Sequence, residues 1–328
     1  MIDLKVSILI PTYNQPQYIV QAVKSALAQD YKNLEVVVND DSTNYETEKL
    51  LAIFTSDHRF TYYKTAVNIG RVANYRKLLY EYATGDWVVM LDGDDYYTQS
   101  NYISKAVGFI NEYPALVLVG AGHTIFYEKK NENVDAVLVE KDVVFDGKKI
   151  FTDNIAIPQH TTNIYKRSIA LTLNLYSHPS NASDAEGLYR LCLHGDVAYL
   201  QTIPVVWRIH GDNTTFSKDV SKQLKELNFI DSVFNYSLAF LQKDVAQKWK
   251  KHQYFGHSHH ILELAFDSKK LINVMKVCYF FRKYWGGKSV LQVINRYLNT
   301  NSNELPFLQK TVYNSLDITK KLLKKNKV

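Results

Sequence analysis

About the first hundred residues alternate short apolar runs with segments of helical spacing. The apolar runs are residues 6–10, 34–38, 60–63 and 87–91. The helical segments between them are residues 18–29, 45–54 and 74–83. Runs with almost no polar residues are typical of strands that helices cover on both faces. The alternation therefore predicts an α/β fold whose central sheet is Rossmann-like and mostly parallel.

Polar residues follow the predicted strands directly, at the point where each strand ends. Tyr13 follows the first strand, Asp40 follows the second, and an acidic group at residues 92–95 follows the fourth. Open α/β sheets bind their ligands in the crevice beyond the carboxyl ends of their strands. We therefore expect these side chains to converge although they are far apart in sequence.

The acidic group combines Asp92, Asp94 and Asp95 in the run VVMLDGDD. Carboxylates this close repel one another in a poorly hydrated site, and at least one of their pKa values rises. A divalent cation among the oxygens relieves that repulsion, and oxygen ligands suit Mg²⁺ or Mn²⁺. The pattern predicts a metal site next to substrate phosphates, with a solvated acidic turn as the alternative.

Composition narrows the class of protein. The chain has 328 residues, 46% of them hydrophobic, with 7 Pro and 13 Gly, which is typical of a globular protein. Its two cysteines, Cys192 and Cys278, have no CxxC partner, so we expect no disulfide framework and a reducing cytoplasm. The N-terminus does not have the pattern of a signal peptide, and no apolar run reaches the roughly 20 residues that span a bilayer.

Charge divides the chain near residue 216. Residues 217–328 carry 20 Lys and Arg against 8 Asp and Glu, whereas residues 1–216 carry 19 basic and 25 acidic residues. We predict a first domain at residues 1–216 and a basic, mainly helical C-terminal region at residues 217–328. Such a region suits an anionic membrane surface or an anionic acceptor, and a well-solvated helical surface is the alternative. Its aromatic residues follow helical patterns typical of a core, so we expect no nucleic-acid partner.

Five motifs in one order resemble family 2 glycosyltransferases of GT-A fold, over roughly residues 4–216. They are VSILIPTYNQ at 6–15, VVVNDDST at 36–43, LDGDD at 91–95, SDAEGLYRL at 183–191 and RIHGDNTT at 208–215. The resemblance implies an inverting, metal-dependent enzyme that uses a nucleotide-sugar donor.

The resemblance assigns the donor to several of these segments. It implies that Pro11, Tyr13 and Asn14 hold the nucleotide, that Tyr13 flanks the base, and that Asp40 accepts a hydrogen bond from the base. The alternatives are an exposed tyrosine and a helix N-cap at Asp40 and Asp41. Asn39 replaces the first Asp of the family pattern Asp-Asp-Gly-Ser, so the identity of the base stays open.

The phosphates and the metal are assigned in the same way. Asn68 and Arg71 match a segment that runs close to the diphosphate, where a guanidinium fits phosphate oxygens. Asp94 would bind the metal, and Asp92 would lie nearer the ribose or bind the metal through water. His210 matches a position near the metal and the diphosphate, and a structural histidine is the alternative. Arg208, two residues earlier, is a second candidate for this part of the site.

The resemblance also implies that Asp184 is the catalytic residue. It matches the aspartate of the family's Glu-Asp pair at the start of a helix, with Ser183 in place of the usual Glu, and helix capping is the alternative. As the base, it would accept the acceptor's hydroxyl proton. Position alone makes His160, Thr161 and Thr162 candidates to face the acceptor.

The sequence thus predicts a transferase that moves a sugar, with a uridine nucleotide as the expected donor carrier, to a hydroxyl of a glycan or lipid-linked glycan in cell-surface polysaccharide synthesis. We expect it in the cytoplasm, with a peripheral position at the inner face of the membrane. An inactive nucleotide-sugar or glycan-binding module is the rival hypothesis, favoured by Ser183 and Asn39. A sugar-phosphate nucleotidyltransferase would need a Gly-rich basic loop after the first strand, which ILIPTYNQP does not contain.

Overall fold

The computed structural model describes residues 3–178, 180–211, 213, 217–285, 290 and 292–293. The chain divides into two compact units: residues 1–216 with 228–250, and residues 217–227 with 251–328. Residues 228–250, which the charge pattern assigned to the C-terminal region, belong to the first unit. Part of that predicted region, residues 286–289, 291 and 294–328, lies outside the described residues.

Strands make up the centre of the first unit. In chain order, those in the described part of the chain are β1 (Val6–Thr12), β2 (Leu34–Asp40), β3 (Phe60–Lys64), β4 (Trp87–Met90), β5 (Tyr96–Tyr97), β6 (Leu116–Ala121), β7 (His123–Tyr127), β8 (Glu132–Ala136), β9 (Val143–Asp146), β10 (Ile164–Lys166), β11 (Asp196–Leu200) and β12 (Val205–Ile209).

Eight of these strands form one sheet in the order β3-β2-β1-β4-β10-β6-β11-β9. Strands β3, β2, β1 and β4 are parallel to one another, and β6 and β11 run in the same direction. Strand β10 runs antiparallel to both of its neighbours, and β9 antiparallel to β11. The prediction of a mostly parallel sheet is confirmed.

A second, four-stranded sheet has the order β5-β12-β7-β8. Strand β12 is parallel to β7 and antiparallel to β5, and β7 and β8 pair antiparallel. This sheet brings the end of β12 next to the acidic turn that follows β4, because β5 begins at Tyr96, directly after Asp95.

Helices flank the large sheet and make up the described part of the second unit. In chain order they are α1 (Pro16–Leu27), α2 (Glu46–Leu51), α3 (Arg71–Lys77), α4 (Tyr102–Glu112), α5 (Lys149–Thr152), α6 (Arg167–Thr172), α7 (Ser183–Cys192), α8 (Val220–Glu226), α9 (Asn228–Ser237), α10 (Lys243–Asp267) and α11 (Leu271–Trp285). Among the residues that the structure describes, no helix combines the length and the apolar character needed to cross a bilayer.

Short helical turns extend two of these helices. Residues Ala52–Phe54 continue α2 as a 3₁₀ turn, and Leu78–Tyr82 continue α3 as a π-helical turn. Two further 3₁₀ turns lie at Glu128–Lys130 and His160–Thr162. The second of them leads into β10 and contributes a histidine to the site described below.

The apolar runs of the sequence form the core. Every residue of β1 and of β4 is buried, as is all of β2 except Glu35. Helix α1 begins with a proline at its first position, where the missing N–H has no intrahelical partner to lose. Its buried residues recur at spacings of three and four, so one stripe faces the sheet: Ile19, Ala22, Val23 and Ala26.

The sequence pattern of residues 183–199 predicts one helix over the whole stretch, and this prediction is wrong. Helix α7 ends at Cys192, and residues Asp196–Leu200 form strand β11. The run Val197–Leu200 is buried, and its backbone bonds to β6 on one side and β9 on the other. Pairing on both sides, which local helical spacing does not report, decides the conformation of this run.

We expect Ile8→Ala to lower the free energy of unfolding by about 2–5 kcal/mol, because the residue is fully buried in the strand that pairs with both β2 and β4. Ile53→Ala is the matched control, since Ile53 is 68% exposed and should change stability by less than about 0.5 kcal/mol. Urea denaturation followed by circular dichroism measures both. Equal losses in the two variants would contradict this view of the core.

Candidate active site

A cavity of about 340 Å³ opens at the carboxyl ends of β1, β2 and β4. Of the predicted strand-end residues, Tyr13 and the acidic group come together there, at the edge where parallel strands end, whereas Asp40 does not line the cavity. Six of the eleven residues that the sequence predicts for the site line it: Pro11, Tyr13, Asn68, Arg71, Asp92 and Asp94. The other five do not line it and are described in turn: Asn14, Asp40, Arg208, His210 and Asp184, the predicted catalytic residue.

Asp41 holds one wall of the cavity in place. Its carboxylate accepts the backbone N–H groups of Ile69 and Gly70, each at 2.8 Å, and the hydroxyl of Thr65 at 2.7 Å. Gly70 has φ +85°, a backbone conformation that side chains with a Cβ rarely adopt. The carboxylate therefore fixes the turn that places Asn68 and Arg71 at the cavity.

Asp40 faces away from the cavity. Its carboxylate is fully buried, accepts the hydroxyl of Tyr62 at 2.9 Å and lies 3.5 Å from the ammonium of Lys64. Its other oxygen accepts the backbone N–H of Ser42 at 2.9 Å. Asn14, in the left-handed region at φ 51°, donates its backbone N–H to the Ser42 hydroxyl at 2.7 Å.

Asn39, which departs from the family pattern, has a structural partner. Its side-chain amide donates to the Asn74 side-chain oxygen at 2.8 Å, and the Asn74 amide donates to the Asn39 backbone carbonyl at 3.1 Å. Both side chains are buried. An ionised aspartate at residue 39 would have no N–H to donate, so the amide suits this pairing.

The acidic turn lies against the end of β1. A Cβ added to Gly93 would come 3.0 Å from Thr12 and 3.1 Å from the Pro11 carbonyl, so this close approach favours glycine. The carboxylates of Asp92, Asp94 and Asp95 each offer an oxygen, and these oxygens lie within 4.8 Å of one another. The spacing LDGDD thus gathers three carboxylates at one edge of the cavity.

Arg208 supports this turn from behind. Its backbone N–H donates to Asp95 at 2.9 Å and its Nε to the Asp94 backbone carbonyl at 3.0 Å. Its guanidinium donates to Gln21 at 2.7 Å and lies 4.5 Å from the Tyr18 ring centre. Arg208 therefore connects the acidic turn to helix α1 and does not line the cavity.

His210 reaches the acidic turn from the end of β12. Its Nε2 lies 2.8 Å from Oδ2 of Asp94, and its ring centre lies 5.0 Å from that of Tyr18. Its backbone N–H donates to the side chain of Asn213 at 2.8 Å. The structure thus brings Asp94 and His210 together, as the sequence analysis expected for a metal site.

The donor set of the acidic turn fits a divalent cation. Oδ2 of Asp95 is buried and has no hydrogen-bond partner among the described residues. Burial, together with the charges of Asp94 and Asp92, raises the pKa of Asp95 well above its usual value. A buried oxygen without a donor, beside two further carboxylates, is an arrangement that Mg²⁺ or Mn²⁺ stabilises.

A histidine joins the acidic turn to the predicted base. His160 lies with Nε2 3.0 Å from Oδ2 of Asp92 and Nδ1 2.8 Å from Oδ2 of Asp184. The hydroxyl of Tyr75 donates to the other oxygen of Asp92, and Arg71 lies over the Tyr75 ring and donates to the backbone carbonyl of Asn181.

Chain topology explains this meeting. Because β10 runs antiparallel to β4, the turn that precedes β10 lies at the carboxyl end of β4, where Asp92 follows. Helix α7 precedes β11 and runs back along the sheet, so its first turn, with Asp184, lies at the same edge. Three separate elements therefore supply Asp92, His160 and Asp184.

The charges of this group stabilise one another. Burial alone would lower the pKa of His160, but Asp92 and Asp184 outweigh it and raise the pKa to about 10. Burial alone would raise the pKa of Asp184, but the hydrogen bond and charge of His160, with Arg71, lower it to about 2. For Asp92 the same balance, dominated by His160 against burial, lowers the pKa. Both carboxylates are thus ionised near neutral pH.

Two residues at the site were missed by sequence reasoning. Tyr75 was treated as part of a helix pattern, and Asp41 was treated as a helix-capping residue. A signal existed for Tyr75, since it lies four residues after Arg71 and therefore on the same helix face. Side chains alternate in direction along a strand, so Asp40 and Asp41 are expected to point in opposite directions. This alternation indicated that one of the two, and not both, lies at the cavity.

Comparison with known proteins gives the family. The model described as "Glycosyl transferase family 2" matches residues 7–173, which is just over half of the chain. The chain therefore belongs to glycosyltransferase family 2, and the predicted class of protein is confirmed.

One curated relative is named provisionally as the colanic acid biosynthesis glycosyl transferase WcaA of Escherichia coli strain K12. It is 27% identical over 172 residues, which are 52% of this chain and 53% of that protein. Two matched relatives from Rickettsia are longer, and the chain spans 37% and 38% of their length.

Solved structures share the fold. The S. aureus TarS 1-349 structure in complex with UDP-GlcNAc has a TM-score of 0.68 at 17% identity, over 90% of this chain and 84% of that one. The mannosyltransferase PcManGT of Pyrobaculum calidifontis, in complex with GDP-Man and Mn²⁺, has a TM-score of 0.55 at 15% identity, over 93% and 87% of the two chains. The predicted GT-A-like fold is confirmed.

We expect Asp41→Asn to lower the free energy of unfolding by about 1–3 kcal/mol, because the amide leaves one acceptor oxygen where the carboxylate offered two. One backbone N–H of the turn then loses its partner. Asp30→Asn is the matched control, since Asp30 is exposed. Urea denaturation compares the two variants, and equal stability would contradict the role given to Asp41.

Proposed function

We propose that this protein transfers a sugar from a nucleotide-sugar donor, a uridine diphosphate sugar, to a hydroxyl of a glycan or lipid-linked glycan, with inversion at the anomeric carbon. The observation that carries the proposal is the arrangement at one sheet edge. A cavity with an arginine and an acidic turn lies beside a carboxylate, Asp184, that is bonded through His160 to that turn.

The donor binds in the cavity on this proposal. Tyr13 is 50% exposed at its rim and offers a ring face to the base. Arg71 and Asn68, which the Asp41 turn positions, face the diphosphate. Pro11 forms part of the cavity wall. Asn14 and Asp40 do not line the cavity, and both hydrogen-bond Ser42 and so hold the loop next to it. The uridine assignment is supported by the UDP-GlcNAc complex of TarS, a structure with the same fold.

A divalent cation, Mn²⁺ or Mg²⁺, is held on this proposal by Asp94, Asp95 and His210, with Arg208 holding the turn. The Mn²⁺ in the Pyrobaculum complex supports the type of ion. When bound, the ion supplies Lewis-acid stabilisation of negative charge on the diphosphate. The protein's own part is to gather the carboxylates and to keep Asp92 bonded to Tyr75 and His160.

Asp184 acts as the base on this proposal. The acceptor oxygen forms a bond to the anomeric carbon while the bond from that carbon to the diphosphate oxygen breaks, and the hydroxyl proton passes to the Asp184 carboxylate. Attack from the face opposite the departing nucleotide inverts the configuration. His160 and Arg71 lower the pKa of Asp184, so its carboxylate is ionised at neutral pH, which is the form that a base requires.

The acceptor and the cellular setting are proposed on other grounds. The name of the WcaA relative, colanic acid biosynthesis glycosyl transferase, supports a role in cell-surface polysaccharide synthesis. We place the protein in the cytoplasm at the inner face of the membrane. In the second unit, helix α11 contains no acidic residue and exposes apolar and basic side chains together: Ile272, Met275, Tyr279, Lys276, Arg282 and Lys283. An anionic bilayer surface complements such a face.

A thermal-shift screen tests the donor site. Wild-type protein is heated with UDP, GDP, UDP-GlcNAc and GDP-mannose, each with and without Mn²⁺. We expect a Mn²⁺-dependent stabilisation by the uridine ligands, about 2.7 kcal/mol at 100 times Kd, because binding to the folded state alone shifts the unfolding equilibrium. Asp94→Ala should lose the shift, since it removes an oxygen ligand of the ion.

Asp153→Ala is the control for this variant, because Asp153 is exposed and does not line the cavity. It should keep the full shift. A wild type that no nucleotide stabilises would overturn the proposed donor site. Binding of a donor without transfer of its sugar to water or to an acceptor, and so without release of nucleoside diphosphate, would instead favour the nucleotide-sugar binding module.

Sedimentation with vesicles tests the membrane surface. We expect binding to phosphatidylcholine vesicles that contain phosphatidylglycerol and little binding to phosphatidylcholine alone. Replacing three basic residues of α11 by Gln should weaken binding by about 3 kcal/mol, at about 1 kcal/mol for each charge. These are Lys276, Arg282 and Lys283. The control replaces three exposed lysines of the first unit: Lys24, Lys32 and Lys49. Equal binding of both variants would contradict the assignment to α11.

A further inference from the structure

The imidazole of His160 lies between two carboxylates that different elements supply. Its two nitrogens lie 3.0 Å from Asp92 and 2.8 Å from Asp184, and its side chain is 8% exposed. We propose that His160 is a positioning residue for sugar transfer, which holds the base Asp184 in register with the acidic turn of the donor site. This inference rests on the proposed function and deepens it.

The geometry suits an imidazole and few other side chains. Its two ring nitrogens point in diverging directions, so one rigid ring can donate to two carboxylates at once. Arg71 donates to the Asn181 carbonyl, and it is His160 that hydrogen-bonds both Asp92 and Asp184. Tyr75 fixes the second oxygen of Asp92 and packs its ring edge toward His160, with ring centres 5.8 Å apart.

His160 is not placed to act on the acceptor itself. Both of its nitrogens are engaged, and little of its side chain is exposed. The residue therefore acts through Asp184, which lies in the first turn of α7 with its side chain 22% exposed. Without the bridge, Asp92 and Asp184 would lose a shared partner, and the Asp184 carboxylate could rotate away from the acceptor.

The His160 bridge explains how the donor site and the base keep a fixed relative position at one edge of the sheet. Asp92 lines the donor cavity, whereas Asp184 does not, and 92 residues separate them in the chain. Transfer needs the proton acceptor and the donor carbon to be held in one geometry, and a misplacement of about 1 Å can reduce the rate about 100-fold. A bridge through a rigid ring supplies that geometry directly.

A double-mutant cycle tests the proposal with His160→Gln, Asp184→Asn and the double variant. The probe is the nucleotide sugar from the thermal-shift panel that stabilises the wild type, UDP-GlcNAc or GDP-mannose with Mn²⁺, and the readout is released nucleoside diphosphate. We expect His160→Gln to lower kcat about 100-fold and to change the donor KM less than about fivefold. Added to Asp184→Asn, it should cause less than about a threefold further loss, because both changes remove one function.

The outcomes separate the two proposals. A wild type that binds no nucleotide sugar, or that releases no nucleoside diphosphate, overturns the proposed function and the positioning role with it. An active wild type in which the two losses multiply, or in which His160→Gln keeps kcat within about threefold, overturns the positioning role alone. A large rise in donor KM with unchanged kcat also overturns it, because it would assign His160 to donor binding.

Controls keep the cycle interpretable. His58→Gln makes the same chemical change at a side chain that is 92% exposed, and it should leave kcat and KM unchanged. Circular dichroism and the melting temperature report whether each variant folds. Should His160→Gln fail to fold, the double variant Asp92→Asn with His160→Gln is used instead. It removes one of the two negative charges that repel each other once the imidazole is gone. That variant is then compared with Asp92→Asn in the same cycle, with the same expected results.

Discussion

The parallel pairing of β1 with β2 on one side and β4 on the other is the constraint on which the site depends. The register sets Thr12 opposite Asp40 and Leu9 opposite Met90, so all three strands end at one edge. Polar residues that follow the strands must then lie together, and the apolar runs that precede them must lie in the core. Burial of those runs therefore fixes both the sheet and the position of its binding edge.

Much of this arrangement follows from the sequence alone. The apolar runs at residues 6–10, 34–38 and 87–91 are strands in the structure, and Tyr13 and the acidic turn, which the strand-end rule predicts to converge, line one cavity. Arg71, which also lines it, was predicted from the family resemblance. The rule could not decide between Asp40 and Asp41. At the end of β2 successive side chains point to opposite sides, and the partners that β3 supplies, Tyr62 and Lys64, draw Asp40 away from the cavity.

Contacts between distant elements were beyond sequence reasoning. His160 meets Asp92 only because the three-residue strand β10 is inserted antiparallel between β4 and β6, and so short a strand leaves little pattern. Strand β11 was mistaken for helix for a related reason, since pairing with β6 and β9 decides its conformation. Arg208 was expected near the donor, but its partners Gln21 and Tyr18 come from a helix some 190 residues earlier.

Two pairs of carboxylates lie at the binding edge, Asp92 with Asp184 and Asp94 with Asp95, and they differ in the positive charge beside them. The difference bears on where a cation would bind. Asp92 and Asp184 share His160 between them, and their pKa values are lowered, so positive charge already compensates this pair. Asp95 has one oxygen without a partner in the described residues, and its pKa is raised by burial and by its acidic neighbours. The carboxylate oxygen that lacks a donor therefore belongs to Asp95. A divalent ion bound beside Asp94 and Asp95 would relieve repulsion there and leave the His160 bridge intact.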